Sequence, residues 1–459
     1  MHALTQALAT YIAQPEFGAR ESEALAIARQ GMTDTIAVAL AGHQEPVARI
    51  ALEYARSTLK SGAQSAPLWF GGATLPSPQA AFVNGVAGHA LDYDDVALSG
   101  HPSTVLTPAI LAEGHARGAS GVECLRAYVV GYEVWAELAS RESDPYHIKG
   151  WHPTAVFGTV AATAALAYLR KLPAADIARA LAISASLASG LVANFGTMTK
   201  PLHAGRAGAL AFEAVTLAGL GLSAATDALE HHAGFLAALS PHGHVDRERP
   251  YRPGDPHILT TRLSIKKYPV CYSGHRVIDA VIDMANAENL DAAKVARITL
   301  GIGPAQASML RNAAPVTALE AKFSAQFAVA AALLRRKVRL AELNDEFVNE
   351  PAMHELYRKV AVEIVKAPDP EDAAFALYDT VAIEMQDGRI LRSGEIRYPR
   401  GHAHLPLTEA DLRTKFDDCL AVWRAQAGTN AGAIPSAGTL YDRLTSLGQI
   451  DNIRTLFGN

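Results

Sequence analysis

A chain of 459 residues with 41 basic and 46 acidic side chains carries a formal net charge of −5, too mild for a nucleic-acid surface or a polybasic membrane contact. That length exceeds one ordinary hydrophobic core, so two domains are expected. The three cysteines, Cys124, Cys271 and Cys419, are odd in number and far apart, which disfavours a disulfide framework or a thiolate-held iron–sulfur cluster and fits a reducing cytoplasm.

The opening MHALTQALATYIAQPEFGAR has no basic stretch leading into an apolar one and reads as an amphipathic helix, so no export is expected. Apolar residues then recur at three- and four-residue spacing in ESEALAIARQGMTDTIAVALAG, GVECLRAYVVGYEVWAELAS and AADIARALAISASLASGLVANF, which predicts an all-helical first domain. These helices are built from Ala, Gly, Ser and Thr, small residues that let helix axes approach closely. The most apolar stretch, Thr154 to Leu169, is shorter than a membrane span and predicts a buried helix.

Pro, Gly, His and charge concentrate between Leu229 and Ile258, the best candidate boundary. Beyond it, VARITLGIGP, KVAVEIVKAP, YDTVAIEMQDG and RILRSGEIRYP alternate apolar and polar residues and end in turns, as strands do. VIDAVIDMANAEN and SAQFAVAAALLRRK between them read as helices. The tail from LTEADLRTKFDDCLAVWRA is helical again, with Thr408 and Glu409 as a cap. The fold class is therefore mostly α. A large all-helical domain takes residues 1–264 and 400–459, and a smaller α+β domain with a small sheet takes 265–399.

Five polar clusters interrupt this alanine-rich background: GHALDYDD at 88–95, GHPST at 100–104, GWHPT at 150–154, TKPLHAGRAG at 199–208 and IKKYPVCYSGH at 265–275. Each sets ionisable side chains beside Gly or Pro, where elements end and chemistry usually sits. In the first, His89, Asp92, Asp94 and Asp95 admit three readings: carboxylates raising one another's pKa, an oxygen-rich Mg²⁺ or Mn²⁺ site, or capping of the next turn. His101 and His152 each precede a proline, which holds the histidine in extended backbone on a loop. Pro153 also suits the first turn of the long apolar helix, whose free N–H groups would favour a carboxylate. Lys200, His203 and Arg206 are three residues apart, so on a helix they share one side, a pocket for a polyanion. Lys266, Lys267, Cys271 and His275 follow the boundary, where a binding site between domains is often found. There is no P-loop, GxSxG or HExxH, and the glycines near 219–221 follow a helix instead of a strand, so nothing signals nucleotide or zinc.

In order and spacing these five strings resemble the MmgE/PrpD family, which contains 2-methylcitrate dehydratases, cis-aconitate decarboxylases and an iminodisuccinate epimerase. The resemblance spans nearly the whole chain. It implies a helical domain capped by an α+β lid, a homodimer, no cofactor and no metal, and a small polycarboxylate as substrate. It places catalytic positions on Asp92, His101, His152, Lys200, Cys271 and His275, with Tyr146 as a further candidate; His203, Arg206, Lys266 and Lys267 would bind substrate. Cys271 departs from the family's loop pattern, and Phe327 stands where some relatives carry tyrosine. The expected activity is that of a lyase, first a hydro-lyase of the 2-methylcitrate type, with epimerisation of a dicarboxylate or decarboxylation of cis-aconitate as enzymatic alternatives. A non-catalytic carboxylate-binding protein is the alternative from another class.

Overall fold

The computed structural model describes residues 4–58, 65–71, 73–370, 375–427 and 434–458. Contacts divide the chain into two units, 1–264 with 413–459, and 265–412.

The first unit begins with α1 (Leu4–Ala13), α2 (Glu21–Gly42) and α3 (Pro46–Ser57). A short antiparallel ribbon of β1 (Ser65–Pro67) and β2 (Thr74–Pro76) follows, so this unit is not wholly helical. Three-residue strands are too brief to show alternation, which is why the sequence does not reveal them. Next come α4 (Ser77–His89), α5 (Pro102–Arg117), α6 (Gly121–Ala139), α7 (Pro153–Leu169), α8 (Ala174–Leu187) and α9 (Thr199–Gly219), then two short helices, α10 (Phe235–Leu239) and α11 (Ile258–Thr261).

Helix α7 is the axis of this unit: every residue but Tyr168 is buried, and α5, α6, α8 and α9 pack around it. No helix among the described residues is long and apolar enough to cross a membrane. Small residues set the spacing. Gly85 of α4 faces Gly205 of α9 so closely that a Cβ on Gly85 would lie 2.9 Å from the Gly205 Cα. On the far side, a Cβ on Gly131 of α6 would meet the Ala161 carbonyl of α7 at 2.9 Å.

The second unit holds α12 (His275–Ala287), α13 (Pro304–Met309), α14 (Ala318–Ala321), α15 (Ala325–Arg335), α16 (Asp345–Val348) and α17 (Pro351–Tyr357), with strands β3 (Val295–Ile302), β4 (Val360–Ile364), β5 (Thr380–Met385) and β6 (Ile390–Arg392). The sheet order is β4-β3-β5-β6, with β3 and β4 parallel and the other pairs antiparallel. Alternate residues Ile298, Leu300 and Ile302 point into an apolar core shared with Val277, Val281, Phe327 and Val329 of α12 and α15. The four strands occupy the four alternating segments of the sequence.

The chain closes with α18 (Glu409–Ala427) and α19 (Ala437–Thr445). Thr408 caps α18 together with Asp411, and not with Glu409 as the sequence suggests: the Asp411 N–H donates to the Thr408 hydroxyl at 3.1 Å while its carboxylate accepts from Thr408.

Candidate active site

Four helix ends of the first unit meet at one place. His89 is the last residue of α4, His101 and His152 immediately precede the prolines that open α5 and α7, and Lys200 and His203 lie in the first turns of α9. The two His-Pro starts are joined directly, because the His101 N–H donates to the Thr154 hydroxyl at 3.1 Å. His152 is held by its own N–H, which donates to the Gly190 carbonyl at 3.0 Å. Proline at the first helical position presets the backbone and leaves each imidazole at a helix N-terminus, where partial positive charge gathers.

Asp94 organises the cluster. Its carboxylate lies 2.9 Å from His89 Nδ1 and 3.1 Å from His101 Nδ1, and His101 Nδ1 is also 2.9 Å from the Asp95 carbonyl. Burial opposes ionisation of Asp94, but the two imidazoles outweigh it and hold the carboxyl well below the usual carboxylate range. The stability this carboxylate adds is therefore present at neutral pH and lost only in strong acid. His101 is pushed down to about 4, first by burial, with Asp94 acting in the opposite sense and His89 in the same one. The His89 and His101 rings lie 4.4 Å apart, and His89 is 6.4 Å from His152. Buried His89 Nε2 has no hydrogen-bond partner among the described residues, the kind of unmet group that a ligand or ordered water satisfies.

His152 and His203 face each other, Nδ1 to Nδ1 at 3.0 Å. One nitrogen must donate and the other accept, so at most one ring is protonated on both nitrogens. Burial, then the Lys200 ammonium, then the other histidines hold His152 far below the ordinary imidazole range; His203 is lowered for the same first reason. Phe195 packs edge-on to His152 at 4.7 Å. Lys200 Nζ makes a 2.8 Å ion pair with Asp92 and lies 5.5 Å from the Phe195 ring. Asp92 has φ 52, a left-handed backbone that turns the chain out of α4 and aims its carboxylate at Lys200.

His89, Asp92, Asp94 and His101 bring four ligand-type atoms within 4.8 Å of one another. Both Nδ1 atoms already face Asp94, and the Lys200 ammonium sits on Asp92, so a divalent cation here would meet a fixed positive charge. The arrangement suits an anionic ligand better than a metal.

Asp95 lies behind this layer. Burial, then Asp94 and Asp34, push its carboxyl well up, against the smaller opposing pull of the Ser103 hydroxyl and Lys415. The neighbouring Ser103 hydroxyl is engaged by Tyr128 OH at 2.5 Å, and buried Lys415 pairs with Asp34 at 2.6 Å and the Tyr93 carbonyl at 2.8 Å. A raised pKa means the folded state holds the proton longer than the unfolded chain, so stability falls as pH rises above about 4. Asp95→Asn keeps the shape without the titration. Its melting temperature is expected to exceed the wild type's at pH 8 and to match it near pH 4; a wild-type advantage that grows with pH would refute this placement of charge.

The remaining sequence candidates fall elsewhere. Tyr146 is buried, but its hydroxyl donates to the Leu138 and Ala139 carbonyls at 3.4 Å instead of entering the histidine group. Arg206 points away from Lys200 and His203 and lines an exposed cleft of about 610 Å³ with Tyr54, Glu113, Arg170 and Phe212. Of the three side chains expected on one face, Lys200 and His203 meet and Arg206 does not, because six residues of helix turn Arg206 well past Lys200; burial also lowers His203, so Lys200 is the cation of the pair. In the second unit, Cys271 is buried in the apolar core and its N–H donates to the Lys322 carbonyl at 2.8 Å. His275 opens α12 with Nε2 3.2 Å from the Val270 carbonyl, between the rings of Tyr268 and Tyr272. Lys266 is buried, and Lys267 pairs with Asp411 at 2.8 Å.

The sequence marks His89 only as a metal ligand, and it singles out neither Asp94 as the bridge nor Phe195 nor Lys415. Asp94 has a local signal, standing five residues from a histidine. Lys415, 322 residues from Tyr93, has none.

The chain is similar to known proteins over most of its length. The chain is 30% identical over 429 residues to the cis-aconitate decarboxylase of Homo sapiens, covering 91% of this chain and 87% of that protein. It is 32% identical to the mouse (Mus musculus) cis-aconitate decarboxylase across 74% of this chain and 71% of the relative, and 25% identical to that of Aspergillus terreus across 80% and 79%. Residues 6–248 match the MmgE/PrpD N-terminal domain and residues 268–431 the MmgE/PrpD C-terminal domain. With both halves matched in order, this chain belongs to the MmgE/PrpD family.

Proposed function

We propose that this protein is a lyase acting without a cofactor on a small di- or tricarboxylate, with decarboxylation of cis-aconitate, or of an acid close to it, as the first candidate reaction. The observation that carries the reading is one ammonium, Lys200, set among imidazoles that burial keeps neutral. Relatives named as cis-aconitate decarboxylases support the choice of reaction.

An arriving polycarboxylate competes with Asp92 for Lys200 and accepts hydrogen bonds from imidazole N–H groups. Its negative charge reverses the local field, so His152 or His101, depressed in the empty site, gains a proton as the substrate binds. Decarboxylation then breaks the bond between carbon and the leaving carboxylate. The electron pair of that bond forms a new double bond to the central carbon, the pair of the original double bond shifts to its far carbon, the imidazolium delivers its proton to that carbon, and carbon dioxide leaves. Asp94 holds the His89 and His101 rings in place and favours the protonated form of His101, while water restores the proton. Lys200 holds a spectator carboxylate and steadies charge as it develops.

Hydration or dehydration of the 2-methylcitrate type and epimerisation of a dicarboxylate use the same proton carriers, so one assay separates all three. Purified protein is incubated in D₂O with cis-aconitate, citrate, 2-methylcitrate or iminodisuccinate and followed by proton NMR. The expected product is itaconate carrying a single deuterium. An olefinic signal from a citrate would replace the decarboxylase by a hydro-lyase, and deuterium entering iminodisuccinate with inversion would replace it by an epimerase. Silence with every acid, alongside measurable binding, would sink the enzymatic reading.

A further inference from the structure

Away from the histidine group, two segments of the first unit bring three ligand-type side chains onto one point. Asp144 Oδ2 lies 3.0 Å from His242 Nδ1 and 2.7 Å from His244 Nδ1, and the three atoms all fall within 4.8 Å of one another. Both histidines aim the same nitrogen at the same oxygen. We propose that Asp144, His242 and His244 form a binding site for a divalent transition-metal ion of the zinc type, completed by water.

The chemistry of the set fits such an ion. Two neutral imidazoles and one carboxylate supply nitrogen and oxygen donors with a single negative charge, a combination zinc favours over hard cations. Around a tetrahedral zinc with bonds of about 2.0–2.1 Å, donor atoms stand roughly 3.3 Å apart. The present spacings of 3.0 and 2.7 Å need to open by only about half an ångström. The histidine side chains are 55% and 62% exposed, so an ion has a way in and a water has room at the open position.

The backbone around the site is held in advance. Gly243, between the histidines, adopts φ 82, which turns the chain so that both rings face Asp144, with centroids 5.9 Å apart. The Gly243 N–H donates to the Ser240 hydroxyl at 2.9 Å, and that hydroxyl in turn donates to Glu142. Glu142 also accepts the Asp144 N–H at 3.1 Å, so one carboxylate braces both ligand-bearing segments. Arg141 fastens the far end, its carbonyl accepting the Asp246 N–H at 2.7 Å and its guanidinium donating to the Asp246 carbonyl at 3.1 Å. Supporting contacts of this kind orient metal ligands and raise affinity. The sequence carries no zinc signature because Asp144 and His244 are 100 residues apart.

The ion would act as a clip. Asp144 precedes the turn Tyr146–Lys149, which leads to His152, and Lys149 already ties this turn to the Ser240 carbonyl at 2.8 Å. Metal would add a second tie between the same segments and stabilise the folded form by mass action.

The test uses full-length protein with any affinity tag removed, titrated with Co²⁺ and followed by visible absorption, then by Zn²⁺ displacement and by melting temperature. One equivalent of Co²⁺ is expected to give the intense d–d bands of a four-coordinate N/O site. Zn²⁺ should abolish them and raise the melting temperature. His242→Ala and His244→Ala are each expected to weaken binding by more than the roughly 10–100-fold that loss of a supporting residue causes. Both positions are exposed, so folding should survive, as circular dichroism would verify. No saturable binding would overturn the proposal, as would binding that persists in both variants or that is lost instead in His89→Gln.

Discussion

His152→Ala is expected to lower kcat/KM on the true substrate by about 10²–10⁴-fold, the range for loss of a general acid or base, while the far-ultraviolet circular dichroism stays that of the wild type. The ring is 2% exposed, yet its contacts are to other site residues: His203 through Nδ1 and Phe195 edge-on. The backbone that positions it is fixed independently, by the N–H bond to Gly190 and by Pro153. Removing the side chain therefore empties the site without unfastening α7. Two further readings separate catalysis from packing. His152→Gln restores much of the volume and a hydrogen-bonding group but cannot carry a proton, so it should be as inactive as the alanine variant. Substrate binding by the wild type, measured by calorimetry in buffers of different ionisation enthalpy, should show net proton uptake, because an anion lifts imidazoles that the empty site depresses. Activity retained by His152→Gln would show that the ring only fills space.

The second large effect concerns distance. Gly205→Ala is expected to destabilise the protein by about 3 kcal/mol or more, the upper part of the overpacking range, despite a gain of about 1 kcal/mol in helix propensity. A methyl group there would collide with the Phe82 carbonyl oxygen and Val86 of α4. Those are backbone and close-packed atoms, so relief requires the two helices to separate. Helix α4 ends at His89 and α9 begins with Lys200 and His203, so separation also pulls the site apart. Gly219→Ala, at the other end of α9 with nothing within 4 Å of the added carbon, is the control and should be neutral or slightly stabilising. Urea unfolding of both variants checks the argument, and a Gly205→Ala protein as stable as the wild type would refute it.

Much of the architecture is legible in the order of residues. The helical periodicity of the first unit, the four alternating strand segments and the buried nature of 154–169 all appear in the described residues. Local rules suffice because each depends on neighbours within a turn or a strand. His-Pro reads as a histidine held in extended backbone on a loop, with Pro153 in the first turn of a helix; α7 begins that way, and α5 also opens at its proline, which the sequence reading does not assign. The cap of α18 differs from its sequence reading by two residues, the usual uncertainty at a helix end.

Chain order and residue type thus determined the fold class, the family and the polar strings that hold Asp92, His101, His152, Lys200 and His203. Tertiary packing decided which of those side chains meet. Asp94 became the bridge because α4 and α5 converge on it, Arg206 left the group because its helix rotates it away, and Lys415 entered from the far end of the chain. The metal-type triad of Asp144, His242 and His244 exists only because two distant loops are strapped together. Periodicity and turn chemistry act over a few residues and can be read in line. Which side chains share a few cubic ångströms depends on how helices cross, and that is set by packing across the whole unit.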